Sequence, residues 1–210
     1  MSATCGHHHE DNFDGASAEY RRALWWVVGI NGVMFGVEMT AGLAGRSQAL
    51  QADALDFAGD TATYMLSLLV IGHSLQWRAR AALLKGLTLA AMGVFVLAAT
   101  AYRVLVLGLP SASIMGGVAV AALVANLASV GLLMKFKDGD ANVRSVWLCS
   151  RNDAIGNVAV MVAAAAVWWW ASPWPDLIVA AGMAGLFLWG AASIIRQALA
   201  ELRSVQLPAE

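Results

Sequence analysis

Polar and apolar positions along this chain fall in long blocks. A polar opening covers residues 1–23, and apolar stretches follow over about 24–44, 48–75, 82–107, 113–134, 143–170 and 176–199. Each is at least as long as the roughly 20 residues that cross a hydrocarbon core of about 30 Å. An open chain can bond all its own backbone groups in that core only as a helix. The pattern therefore predicts an all-α, polytopic membrane protein with six transmembrane helices. Breaks between blocks carry turn residues: Gly45-Arg46-Ser47 after the first, Lys135 to Asp140 after the fourth, and Pro110, Pro173 and Pro175 at others. The second block is amphipathic in its first half. The expected organisation is a flexible arm over 1–23, a membrane domain over 24–200 and a short tail over 201–210. Residues 1–23 hold no apolar core of a signal peptide, so the first block is expected to stay as a helix.

Composition sharpens this picture. Of the 210 residues, 60% are hydrophobic and 13% charged, about half the charged share of a soluble domain. The formal charge of −1 gives no pointer to nucleic acid. Its distribution is more telling. Arg21, Arg22, Arg78, Arg80, Lys85, Lys135, Lys137, Arg144, Arg196 and Arg203 fall at the N-terminus, the 2–3 and 4–5 connections and the C-terminus, against Arg46 and Arg103 on the other side. Basic residues mark the cytoplasmic face, so both termini are expected there. Trp25, Trp26, Trp77, Trp168, Trp169, Trp170 and Trp174 sit near block ends, as interfacial anchors do. Runs of small residues over 119–128 and 163–166, with Gly116 and Gly117, suit close helix packing. No nucleotide-binding or hydrolase motif is present, so an enzyme and a bound organic cofactor are not expected, and any transport would draw on an ion gradient.

Against this apolar background several acids stand out: Glu38, Asp53, Asp56, Asp60 and Asp153. A charged side chain at mid-bilayer costs at least about 2.5 kcal/mol, so each needs a partner or a task. Asp56 and Asp60 are four apart and share a helix face, with Asp53 able to share part of it. Two carboxylates so close cannot both ionise cheaply without a cation, and either a metal ion or protons resolve the conflict. Cys149 and Asp153 repeat the spacing in the fifth block. Cys149 reads equally as a small buried hydrophobe; taken with Asp153, it completes four candidate ligands on two helices. A thiolate among carboxylates suits Zn²⁺, with Co²⁺, Ni²⁺ or Cd²⁺ compatible, and argues against Mg²⁺ or Ca²⁺. Mn²⁺ and Fe²⁺ stay among the ions to compare.

Asn31, Glu38, Asp53, Asn152 and Asn157 are candidates for a supporting shell or pathway, or for plain interhelical hydrogen bonds. Arg151 is expected to pair with an acid or reach an interface. Cys5, His7, His8 and His9 in the arm are candidates for weak metal capture, or an incidental tail. His73 reads as structural or interfacial.

The run Asn31…Glu38…Gly42…Ser47-x-Ala49-Leu50-x-Ala52-Asp53-Ala54-Leu55-Asp56-x-x-x-Asp60, with Cys149-x-x-x-Asp153-x-x-x-Asn157 later, resembles the cation diffusion facilitator family over roughly residues 20–200. The resemblance implies six transmembrane helices with cytoplasmic termini, a homodimer, and exchange of a cytoplasmic divalent cation for protons. It implies ligand pairs at Asp56 with Asp60 and at Cys149 with Asp153. Cys149 departs from the family's usual His or Asp, which bears on metal preference. Few residues follow the sixth block, so a family-type cytoplasmic metal-binding domain is not expected, and a dimer would form through the membrane helices. The expectation is a Zn²⁺/H⁺ antiporter in the cell (inner) membrane. The rival expectations are a proton-coupled transporter of another small cation and a non-transporting membrane metal sensor.

Overall fold

The computed structural model of the protein describes residues 17–70, 75–106, 108–137 and 141–206, with the side chains of 67, 70, 75, 78, 141–149 and 204–206 outside the description. Six long helices run in sequence: α1 Ala18–Ala44, α2 Gln48–Val70, α3 Leu75–Leu105, α4 Ala112–Leu133, α5 Ala141–Trp170 and α6 Trp174–Gln206, with a 3₁₀ turn at Met134–Phe136 after α4. The all-α polytopic architecture read from the blocks is the architecture found. The helices outrun the blocks at the terminal end. Ser17 caps α1 by accepting from Tyr20 N at 3.2 Å, and α6 continues to Gln206 rather than stopping near 199. Arg, Gln and Ala are good helix formers, so the helices persist past the border that hydropathy detects.

Among the described residues, five helices are long and apolar enough to cross a membrane. The exception by composition is α2, which carries Asp53, Asp56 and Asp60. Its 23 residues still reach about 34 Å at 1.5 Å per residue. The other helices shield it from lipid: among its described side chains only Ala62, Met65 and Leu69 are exposed.

Packing divides the bundle. The most extensive pairing is α3 with α6; α1 packs on α2, α4 on α5, and α1 on α4. The α3–α6 pair therefore lies against a four-helix group, touching it mainly through α2 and α5. Glycine lets α3 and α6 approach: a Cβ at Gly86 would fall 2.7 Å from Ile195 Cγ1, and one at Gly93 would fall 2.9 Å from Leu188 Cγ. Close backbone approach increases the van der Waals packing that helps hold helices together where no hydrophobic effect operates.

The α1–α2 turn is tied to three other helices. Arg46 takes a positive φ of 55°, its carbonyl accepts from Arg103 Nη2 at 2.7 Å, and Gly45 O accepts from Ser111 N at 2.8 Å. Asp176, buried at the start of α6, then covers the N-terminus of α2. Its carboxylate accepts from Ser47 Oγ at 2.6 Å, from Gln48 N at 2.8 Å and from Ala49 N at 3.0 Å. Ser47 Oγ meanwhile accepts from Leu50 N at 3.0 Å. The free N–H groups that open every helix are thereby satisfied across two elements.

Removing that carboxylate strands buried N–H groups, at about 1–3 kcal/mol each. The Asp176→Ala variant in detergent is expected to unfold at a lower temperature than the parent, with Asp176→Asn in between. Equal midpoints for Asp176→Ala and the parent would remove this carboxylate as a tie between α2 and α6.

Candidate functional site

The helix shielded from lipid is also the one carrying the acids. Asp56 and Asp60, one turn apart on α2, are half-buried and line a cavity of about 530 Å³ bounded by α2, α3, α5 and α6. Asp153 of α5 lines the same cavity, and its carboxyl lies within hydrogen-bonding reach of both Asp56 and Asp60. One further turn along α2, the Tyr64 hydroxyl donates to Asp60 Oδ2. Lys85 of α3 also lines the cavity, and its charge acts on both aspartates. Apolar side chains such as Leu89, Met92 and Phe187 supply much of the remaining wall.

The cavity is one-sided. It follows α2 from Asp56 to Leu66 and α6 from Met183 to Ile194, away from the α1–α2 turn and toward the end where α1 begins and α6 ends. Toward the turn, the bundle is closed by a buried cluster that includes Leu50, Ala52, Met115, Ala119, Val160 and Ala164. The open side is the one that the charge asymmetry of the sequence marks as the expected cytoplasmic face.

The spacing argument placed Asp56, Asp60 and Asp153 together, and the fold brings them to one cavity. Cys149 lies on α5 one turn before Asp153; its side chain lies outside the described residues. Among the described residues, no group of three or more His, Cys, Asp or Glu is gathered tightly enough to hold a metal ion. The three carboxylates line an open space, and a cation would have to draw them in. Neighbouring carboxylates in such a setting favour either a shared proton or a bound cation.

Asp53 belongs elsewhere. It is 1% exposed and does not line the cavity; its carboxyl lies against that of Glu38 on α1, which is 0% exposed. Asn31 and Asn157 are buried as well. Among the described residues, both Glu38 oxygens, Asp53 Oδ2, Asn31 Oδ1, Asn126 Nδ2, Ser150 Oγ and both polar atoms of Asn157 lack a hydrogen-bond partner of standard geometry. Buried polar atoms are nearly always bonded, so this interior is unusually polar for its depth. Asn152 is exposed, borders the cavity and accepts from the exposed Arg151 at 3.3 Å. The arm residues Cys5, His7, His8 and His9, and His73, lie outside the described residues.

Three groups escaped the sequence reading. Lys85 was counted with the 2–3 connection but sits on α3, six residues inside the apolar span that begins at Ala79. A lone cation that far into an apolar run was the available signal. Tyr64 is four residues after Asp60, on the same face, and could have been found by that spacing. Asp176 had no local signal, because its partners are over a hundred residues away.

The comparison with curated proteins finds no match. The family model of the cation efflux transmembrane domain matches residues 24–203. The matched stretch takes in nearly all of the six helices, including the acid-bearing α2 that composition alone leaves out of the candidate spans. On that match the chain is an integral multi-pass membrane protein of metal cation efflux, and it belongs to the cation efflux transmembrane domain family.

Proposed function

We propose that the protein exports a divalent transition metal, Zn²⁺ foremost, across the cell membrane in exchange for protons, working as a homodimer. The observation that carries this reading is the reach of Asp153 on α5 to both Asp56 and Asp60 on α2, at the deep end of a cavity leading to the terminal side. In this reading a cytoplasmic cation enters the cavity, displaces protons from Asp56, Asp60, Asp153 and Cys149, and draws the two helices together. The division between the α3–α6 pair and the four-helix group supplies a seam along which the cavity can close on one side and open on the other. Protons arriving from the far side then displace the metal. Binding must be weak enough for that release. Glu38 and Asp53, sealed from the cavity, support the turns above the site without touching the ion.

The sulfur donor bears on which ion is carried. Thiolate favours Zn²⁺ and Cd²⁺ over Mn²⁺, which prefers oxygen. Residues 1–12 would add capture at low metal concentration and leave the cycle itself unchanged.

In proteoliposomes loaded with a pH dye, Asp60→Ala and Asp153→Ala are each expected to abolish Zn²⁺-dependent proton flux, by at least about 100-fold for a lost charged ligand worth about 3 kcal/mol. Normal flux in both variants would sink the site assignment. Cys149→Ser is expected to lower the ratio of Zn²⁺ and Cd²⁺ to Mn²⁺ transport while leaving Mn²⁺ rates near the parent's. An unchanged ratio would remove the sulfur from the site.

A further inference from the structure

The cavity holds one charge that the export reading leaves unused. Lys85 enters from α3, about 9 Å along the helix from the start of its apolar span at Ala79. It is only partly exposed and lines the same cavity as Asp56, Asp60 and Asp153. These four are the charged groups among the residues lining the cavity. Three carboxylates and one ammonium sum to −2, and the Cys149 thiolate of the export reading brings the sum to −3. Without Lys85 either sum would be more negative by one charge.

We propose that Lys85 is a specificity-determining residue: a tethered counter-charge that weakens cation binding in proportion to the ion's charge, and so disfavours trivalent against divalent ions and permits release. The inference rests on the cavity being the cation's site. A fixed positive charge facing the carboxylates repels an incoming ion in proportion to that ion's own charge. The repulsion is strong in a cavity walled by apolar side chains, where screening is weaker than in water. It opposes tight holding of the ion without contributing a ligand. Lysine suits this task because its ammonium ends a flexible stem of four carbons. A lysine that merely carried its charge toward the interface would need only that stem and would leave the affinity of the site alone.

The two roles are separated by valence. Binding of Zn²⁺ and of Tb³⁺ to the purified full-length protein in nanodiscs is measured for the parent, Lys85→Met and Lys85→Arg. Methionine keeps an unbranched apolar stem without the charge. Lys85→Met is expected to bind Zn²⁺ at least about tenfold more tightly, since the electrostatic energy scales with the product of the charges. For the same reason the gain for Tb³⁺ is expected to be the 3/2 power of the gain for Zn²⁺, about thirtyfold where Zn²⁺ gains tenfold. Lys85→Arg is expected to stay near the parent for both ions. Equal Zn²⁺ affinity in the parent and Lys85→Met, with Asp56→Asn and Asp153→Asn still weakening it, overturns this inference alone. Equal factors for the two ions overturn its electrostatic origin. Zn²⁺ affinity indifferent to Asp56→Asn and Asp153→Asn overturns the cavity as the cation's site, and this inference with it.

Discussion

A helix bearing three aspartates cannot be held in place by lipid, and the fold answers that constraint first. Asp176 closes the open N–H end of α2, where the peptide dipoles sum to about half a positive charge. The negative group arrives from α6, so the same contact that makes α2 admissible also fixes its height against α6. The turn behind it is tied to α3 through Arg103 and to α4 through Ser111. Once that height is set, Asp56 and Asp60 stand level with Asp153. A slip of one residue would shift α2 by about 1.5 Å and rotate its acids by about 100°, away from α5. Chemistry near the middle of the bundle thus depends on an anchor at its far end.

The acids on α1 and α2 occupy two different environments. Asp56 and Asp60 face a cavity that water and ions can enter, while Asp53 and Glu38 face each other where neither is accessible. Hydration relieves the first pair and is denied to the second. Asn31, Asn126, Ser150 and Asn157 also bury polar atoms that have no partner among the described residues. Buried polar groups are costly in hydrocarbon unless they are shared between helices.

Much of this was legible in the sequence. Block lengths gave the number of helices, because bilayer thickness imposes a minimum on each. The i, i+4 pairs gave the facing aspartates, because helical geometry stacks such residues. Asp53 shows where this kind of reasoning stops. It lies about 20° around the helix from Asp60, so angle alone puts it in the site. Two turns higher, that angle meets α1 instead of open space, and only the packing of the other helices determines which neighbour stands there. Lys85 illustrates the same gap, since a lysine inside an apolar span can turn inward or reach back to the interface, and periodicity is silent between them. The Asp176 contact joins positions 127 to 129 residues apart, beyond any local pattern.

The closed end of the bundle has a texture of its own. Half the residues in its sealing cluster are alanines, three more are valines, and bulkier groups such as Met115 and Phe187 are few. Large side chains interlock and must change rotamer before helices can part, whereas methyl groups meet as nearly smooth surfaces. Such a plug excludes water by closeness of fit, and each alanine surrenders no side-chain freedom in forming it. It resembles two polished plates more than a zip: tight while pressed together, and separable by a slight tilt that leaves each plate intact.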